Sequence, residues 1–184
     1  MTPTENLIHE HEAIRVMLSI MSKIAENIRD EKEFVIKDIL KIVGFLKTFA
    51  DKCHHGKEET ALFPALVLAG ISNENGPIGV MLKEHAIGRK HINEISSEIE
   101  NFKAGQISSS YVIATSLINY VNLLHNHILK EENILFPLAN KVLTEDIQKE
   151  ILKKFKETEG FVLSHGAMER YNDLLEQLKN KYLS

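Results

Sequence analysis

Two short stretches carry side chains that can do chemistry together. One reads Cys53-His54-His55-Gly56-Lys57-Glu58-Glu59 and the other His127-Ile128-Leu129-Lys130-Glu131-Glu132. Both run on into Leu-Phe-Pro, at Leu62-Phe63-Pro64 and Leu135-Phe136-Pro137. Superposing the two triplets puts His54 over His127 and Glu58 over Glu131. Residues four apart on a helix stand one turn apart on the same face, so each pair presents an imidazole and a carboxylate together. Such a pair can hold a metal ion against a rigid element. Two facing copies can hold two ions, which is how di-metal carboxylate bundles are built.

The elements that must position these pairs are helices with four-three apolar alternation, the seam of a helix packed in a bundle. A first helix from about Thr4 or Asn6 to Asp30 carries Leu7, His11, Ile14, Leu18, Met21, Ala25 and Ile28. A second, from about Lys32, carries Ile36, Ile39, Val43, Leu46, Ala50, His54, Glu58 and Leu62, and Pro64 is expected to kink or restart it. Asn73-Glu74-Asn75-Gly76-Pro77 reads as a loop, with Pro77 opening the third helix. That helix shows Met81, His85, Gly88, Ile92, Ile95, Ile99 and Phe102 and ends at Ala104-Gly105-Gln106. The fourth, from about Ser108, shows Ile113, Leu117, Tyr120, Leu124, His127, Glu131 and Ile134, and Pro137 is expected to disturb it. The two hairpins form a weak internal repeat. The chain is therefore expected to be all-α: an up-down-up-down four-helix bundle over 1–140 and a C-terminal helical extension over 141–184, packed on the bundle. The extension begins with Thr144 as N-cap, runs helical to about Glu157, and carries a stripe of Phe161, His165, Met168 and Leu175.

In that topology, the starts of helices one and three meet the ends of helices two and four. His11, His54, Glu58, His85, His127 and Glu131 then converge in one layer above an apolar core. A single histidine on an apolar face is ordinarily a core residue bonded to a neighbour. Six polar side chains in four seams at one level would leave at least two carboxylates unpaired in a low-dielectric interior, and no seam Lys or Arg lies near them. Divalent cations remove that cost. Four imidazoles and two carboxylates suit iron, manganese or zinc better than calcium or magnesium. Glu58 and Glu131 project from opposite helices, so each can bridge two ions. His11 with His54, and His85 with His127, would cap one ion each; crossed pairing stays open. His55 and His165 are candidate additional ligands or supporting donors. His9, His91 and His125 are expected to be exposed, and Cys53 and Tyr120 to be core residues.

Composition narrows the classes. The net charge of −4 has no block structure and offers no basic footprint for nucleic acid or anionic lipid. A single cysteine excludes an intrachain disulfide and a thiolate zinc cage. No apolar run approaches the roughly 20 residues of a membrane span, and the first residues lack a signal-peptide pattern. A soluble cytoplasmic protein is expected.

At His11, His54-x-x-x-Glu58, His85 and His127-x-x-x-Glu131 the chain resembles the hemerythrin-like family, the HHE cation-binding domain. The resemblance implies a four-helix bundle with a non-haem di-iron centre bridged by two carboxylates and commonly by an oxo or hydroxo group. Oxygen-carrying hemerythrins place a second histidine one turn after the third-helix ligand, where this chain has Arg89. They also use His-x-x-x-x-Asp on the last bundle helix, where this chain has His127-x-x-x-Glu131. A carrier would need a further nitrogen from His55 or His165. The set is closer to the iron–sulfur-repair branch and other HHE proteins. The leading expectation is a binding or sensing module for oxygen, nitric oxide or peroxide. The alternatives are a di-iron enzyme reducing peroxide or nitric oxide, an iron donor in cluster repair, and a structural metal.

Overall fold

The computed structural model describes residues 1–74 and 76–184, so Asn75 of the expected loop lies outside the described residues. Among the described residues there is no strand. Six helices build the described residues. Helix α1 is Pro3–Arg29, α2 covers 36–68, α3 is Pro77–Lys103, α4 covers 109–142, α5 is Glu145–Val162 and α6 is Ala167–Tyr182. The start of α1 is fixed by a capping box: the Thr2 hydroxyl accepts from the Glu5 N–H while Glu5 accepts from the Thr2 N–H. Helix α2 begins four residues later than the periodicity suggested, because Val35 is extended. Pro77 opens α3, and Gly105 (φ +96) ends that hairpin in the left-handed region that glycine enters without strain.

The helices α1 to α4 run antiparallel in turn, as the cross-links between them show. Thr4 near the start of α1 donates to Asn140 near the end of α4, and Tyr111 at the start of α4 reaches Glu31 just beyond α1. Lys47 and Arg89 tie α2 to α3 through Ser96 and Asp51. Nearly every expected seam residue is buried. Below the His/Glu layer lies a core of Ile14, Met21, Ile24, Ile39, Ile42, Leu46, Ile95, Ile99, Ile113 and Leu117. Above it a second cluster of Leu62, Phe63, Leu66, Leu135, Phe136, Ile151 and Phe155 closes the end of the bundle.

Neither proline breaks its helix. Widened π turns, Glu58–Leu62 and Glu131–Leu135, precede them, with Phe63 N–H bonding back to Glu58 and Phe136 N–H to Glu131. A widened turn absorbs the missing donor and the ring clash that would otherwise interrupt the α ladder. It also shifts the register after Glu131. Ile134, expected in the seam, is 56% exposed, and Leu135 is buried in its place.

The extension differs from expectation in its register. Helix α5 runs through Gly160 and ends at Val162; the break falls at 163–166, where Gly166 adopts φ +70. The stripe of Phe161, His165, Met168 and Leu175 is therefore not continuous, and Phe161 is 94% exposed. The buried faces are Ile151 and Phe155 on α5, and Leu175, Leu178 and Tyr182 on α6. Tyr171 sets its ring against Phe45 at 5.4 Å and 89°. Lys181 and Tyr182 both donate to Asp38 Oδ2, at 2.6 and 2.8 Å. Burial raises the Asp38 carboxyl, but these donors outweigh it and hold it below the usual range. The clasp's stability is thus present above the unfolded Asp value of about 3.9 and lost as pH falls through the still lower folded value. Asp38→Ala should cost about 1–2 kcal/mol, read by denaturant unfolding at pH 7, and that difference should vanish in strong acid.

Candidate metal centre

Four helices bring the six predicted side chains into one dry layer. His11, His54, Glu58, His85, His127 and Glu131 are all at most 2% exposed. His11 Nε2 faces His54 Nε2 at 3.1 Å, and His85 Nε2 faces His127 Nε2 at 3.1 Å. Each carboxylate turns one oxygen to each pair. Glu131 Oε2 lies 3.2 Å from His11 and Oε1 3.1 Å from His127. Glu58 Oε1 lies 3.8 Å from His54 and Oε2 3.4 Å from His85. The four carboxylate oxygens are buried without a hydrogen bond.

A carboxylate outside the layer holds each imidazole by its other nitrogen. Nδ1 of His11 donates to Glu132 at 2.8 Å, His54 to Glu10 at 2.8 Å, His85 to Glu59 at 2.7 Å and His127 to Glu84 at 2.9 Å. Carboxylates only accept, so the protons sit on Nδ1 and the Nε2 lone pairs point inward. Two such lone pairs facing at 3.1 Å repel unless a metal ion or a proton lies between them. Each outer carboxylate has its own cation: Arg15 on Glu132, Lys57 on Glu10, Arg89 on Glu59, Lys130 on Glu84. Lys57 is shared with Glu159 and Arg89 with Asp51, so the outer ring has no surplus positive charge, and the negative charge of Glu58 and Glu131 remains available to a bound cation.

Donor spacing fits that need. Two donors about 2.1 Å from one ion stand about 3.0 Å apart at an octahedral angle and about 3.4 Å at a tetrahedral one. The inner separations run from 3.1 Å, just above the octahedral value, through the tetrahedral one to 3.8 Å. Two groups result: His11, His54, Glu58 and Glu131; and His55, Glu58, His85 and His127. Each facing pair of imidazoles lies within one hairpin. Without metal, burial pushes His54, His85 and His127 toward neutrality, but the surrounding carboxylates outweigh it, and His127 rises to about 10. Burial works against ionised Glu131, yet His127 and His11 hold it well below the usual carboxylate range.

His55 joins the second group. Its ring stacks on His85 at 3.9 Å between centroids, and neither of its buried nitrogens has a hydrogen bond. Burial and the neighbouring imidazoles push it well below its ordinary value, so it is neutral. His165 stands exposed in the turn between α5 and α6, in neither group. His125 and His9 are exposed, but His91, expected outside, is half-buried. Cys53 is buried, and desolvation with the Glu10 charge pushes its thiol up to about 12, which keeps it inert. Tyr120 is fully buried beside Gly88.

The outer ring was not anticipated, although it was encoded. Glu10-His11-x-x-x-Arg15 repeats as Glu84-His85-x-x-x-Arg89, and Lys57-Glu58-Glu59 repeats as Lys130-Glu131-Glu132. Arg89 is not a lost ligand but the mate of Arg15. The Leu-Phe-Pro motif has a role too: Phe136 stacks on His11 at 5.7 Å and Phe63 on His85 at 5.9 Å.

Among the described residues no helix is long and apolar enough to cross a membrane. A search of curated proteins and one of solved structures find no match. The family model described as the hemerythrin HHE cation binding domain matches residues 2–139. That family's domain binds metal cations, and the buried His/Glu groups of this chain are able to hold them. A match over three quarters of the chain, on a bundle whose four helices supply those groups, means that this protein belongs to the hemerythrin HHE cation-binding domain family.

Proposed function

We propose that the chain is a non-haem di-iron protein that binds or senses a small diatomic or redox species: oxygen, nitric oxide or peroxide. The observation that carries the reading is the pair of glutamates whose four buried oxygens have no hydrogen bond and face imidazoles of both hairpins. Bound iron supplies one-electron chemistry and affinity for small donors. His11 and His54 would hold one ion and His85 and His127 the other, with Glu58 and Glu131 placed to serve both. His55 would add a third imidazole to the second ion, so the two ions would differ in donor type, three imidazoles and a carboxylate against two imidazoles and two carboxylates. The donor side chains are at most 3% exposed, so the layer excludes bulk water and favours small visitors.

The test is metal content per chain with an absorption spectrum, on protein prepared without oxygen and then given oxygen, nitric oxide or peroxide. Two irons with a stoichiometric spectral change support the reading. Indifference of the reduced centre to all three, or manganese or zinc in its place, overturns it; sustained turnover with a reductant makes the chain an enzyme. His55→Ile copies the residue at the matching position, Ile128. It should leave two irons bound but draw their two Mössbauer signals together, and an unchanged spectrum removes His55 from the ligand set.

A further inference from the structure

The four outer cations are not equivalent. Arg15, Arg89 and Lys130 keep 36–39% of their side chains in water. Lys57 is completely buried. The extension buries it. The Lys57 ammonium donates to Glu10 and Asn6, and also to Glu159 on α5. It lies 5.4 Å from the centre of the Phe155 ring, also on α5. Its mate Lys130 pairs with Glu84 alone among the described residues. The backbone makes the same distinction. A methyl group on Gly56 would already touch Thr158 at 3.6 Å, so α5 lies directly against the ligand-bearing helix. The matching position, Leu129, is 42% exposed.

We propose that Glu159 is a positioning residue for the ion on His11 and His54, and that the C-terminal extension tunes this ion selectively. The proposal rests on the two-ion reading of the site. The path is Glu159 to Lys57 to Glu10 to His54 Nδ1. With Glu159 in place, the ammonium is shared between two carboxylates. Glu10 then keeps more of its charge for the Nδ1–H of His54, which makes Nε2 a stronger donor. Without Glu159 the ammonium pulls on Glu10 alone, and His54 weakens as a ligand. On the His85/His127 side Arg89 is likewise shared, between Glu59 and Asp51, but Asp51 belongs to the bundle and Lys130 pairs with Glu84 alone among the described residues, so the extension has no handle there. Glu159 lies beyond residues 2–139, so this control is outside the family domain.

The experiment uses the full chain loaded with ferrous iron-57 without oxygen. Iron release to a ferrous chelator and the Mössbauer spectrum are compared for wild type, Glu159→Gln and Glu159→Asp. In Glu159→Gln one ion should leave about tenfold faster, at the low end for outer partners of a metal ligand. The other should stay within about twofold, and one of the two Mössbauer signals should shift. Glu159→Asp should restore most of the wild-type behaviour, which simple loosening of the helix would not. Equal changes at both ions, or no change at either, overturn the proposal while leaving the two-ion site standing. A wild-type chain that binds no iron overturns both.

Discussion

If the layer holds two metal ions, as proposed, Glu131→Ala and Glu58→Ala should each bring the chain from two ions to one or none, with the helices still folded. The expectation follows from the way each carboxylate is divided. Glu131 faces His11 with one oxygen and His127 with the other; Glu58 faces His54 and His85 in the same way. Truncating either removes a donor from both ions at once. The bundle survives because its apolar clusters lie above and below the layer and do not depend on it. Loss of binding also removes the stabilisation that the metal confers. At a free metal concentration of 100 times Kd that linkage is about 2.7 kcal/mol, or about 5–10 °C in Tm for a chain of this size. Metal analysis, circular dichroism and thermal melts with and without metal measure all three. Two ions retained in both variants would falsify the bridging assignment.

The second large effect falls on residues that touch no ion. Glu84→Gln and Glu132→Gln each weaken metal affinity by about 10–100-fold, or about 1.4–2.8 kcal/mol. Glu84 orients His127 and Glu132 orients His11, each through Nδ1. A glutamine can still accept that hydrogen bond, but it carries no charge to strengthen the imidazole as a donor. It also leaves Lys130 or Arg15 without its counter-ion. Arg15→Ala and Arg89→Ala should do less, since both guanidinium groups are partly in water, where an ion pair contributes little. Competition against a chelator of known affinity decides the order. Glu84→Gln and Glu132→Gln proteins that bind metal within twofold of wild type would reduce the outer ring to surface decoration.

The bundle and its polar layer were legible because they follow from periodicity. Four seams of four-three spacing specify four packed helices, and short connections force neighbours to run antiparallel. Once the helices alternate in direction, the starts of two and the ends of two must share a level, and the polar seam residues lie at those ends. Arg89 shows where such reading fails. By spacing it occupies a ligand position of oxygen carriers. In three dimensions it reaches Glu59 and Asp51 on the neighbouring helix, which no intrahelix pattern contains. Ile134 fails for another reason: a π turn, Glu131–Leu135, adds a residue to the repeat just before Pro137.

The sequence by itself determined which side chains lie on one face of one helix, because that depends only on a local 3.6-residue period. It thereby supplied the fold class, the layer and the pairing of imidazole with carboxylate four residues on. Tertiary structure alone decided what crosses between helices. It joined Glu10, Glu59, Glu84 and Glu132 to their imidazoles, and laid Phe63 and Phe136 on histidines of the opposite hairpin. It turned His55 inward, left His165 in solvent and set Glu159 against Lys57. These are contacts between residues 22 to 125 positions apart, made by helix rotation, π-turn register and the break at Gly166. No local pattern carries that information, because each depends on how neighbouring surfaces pack.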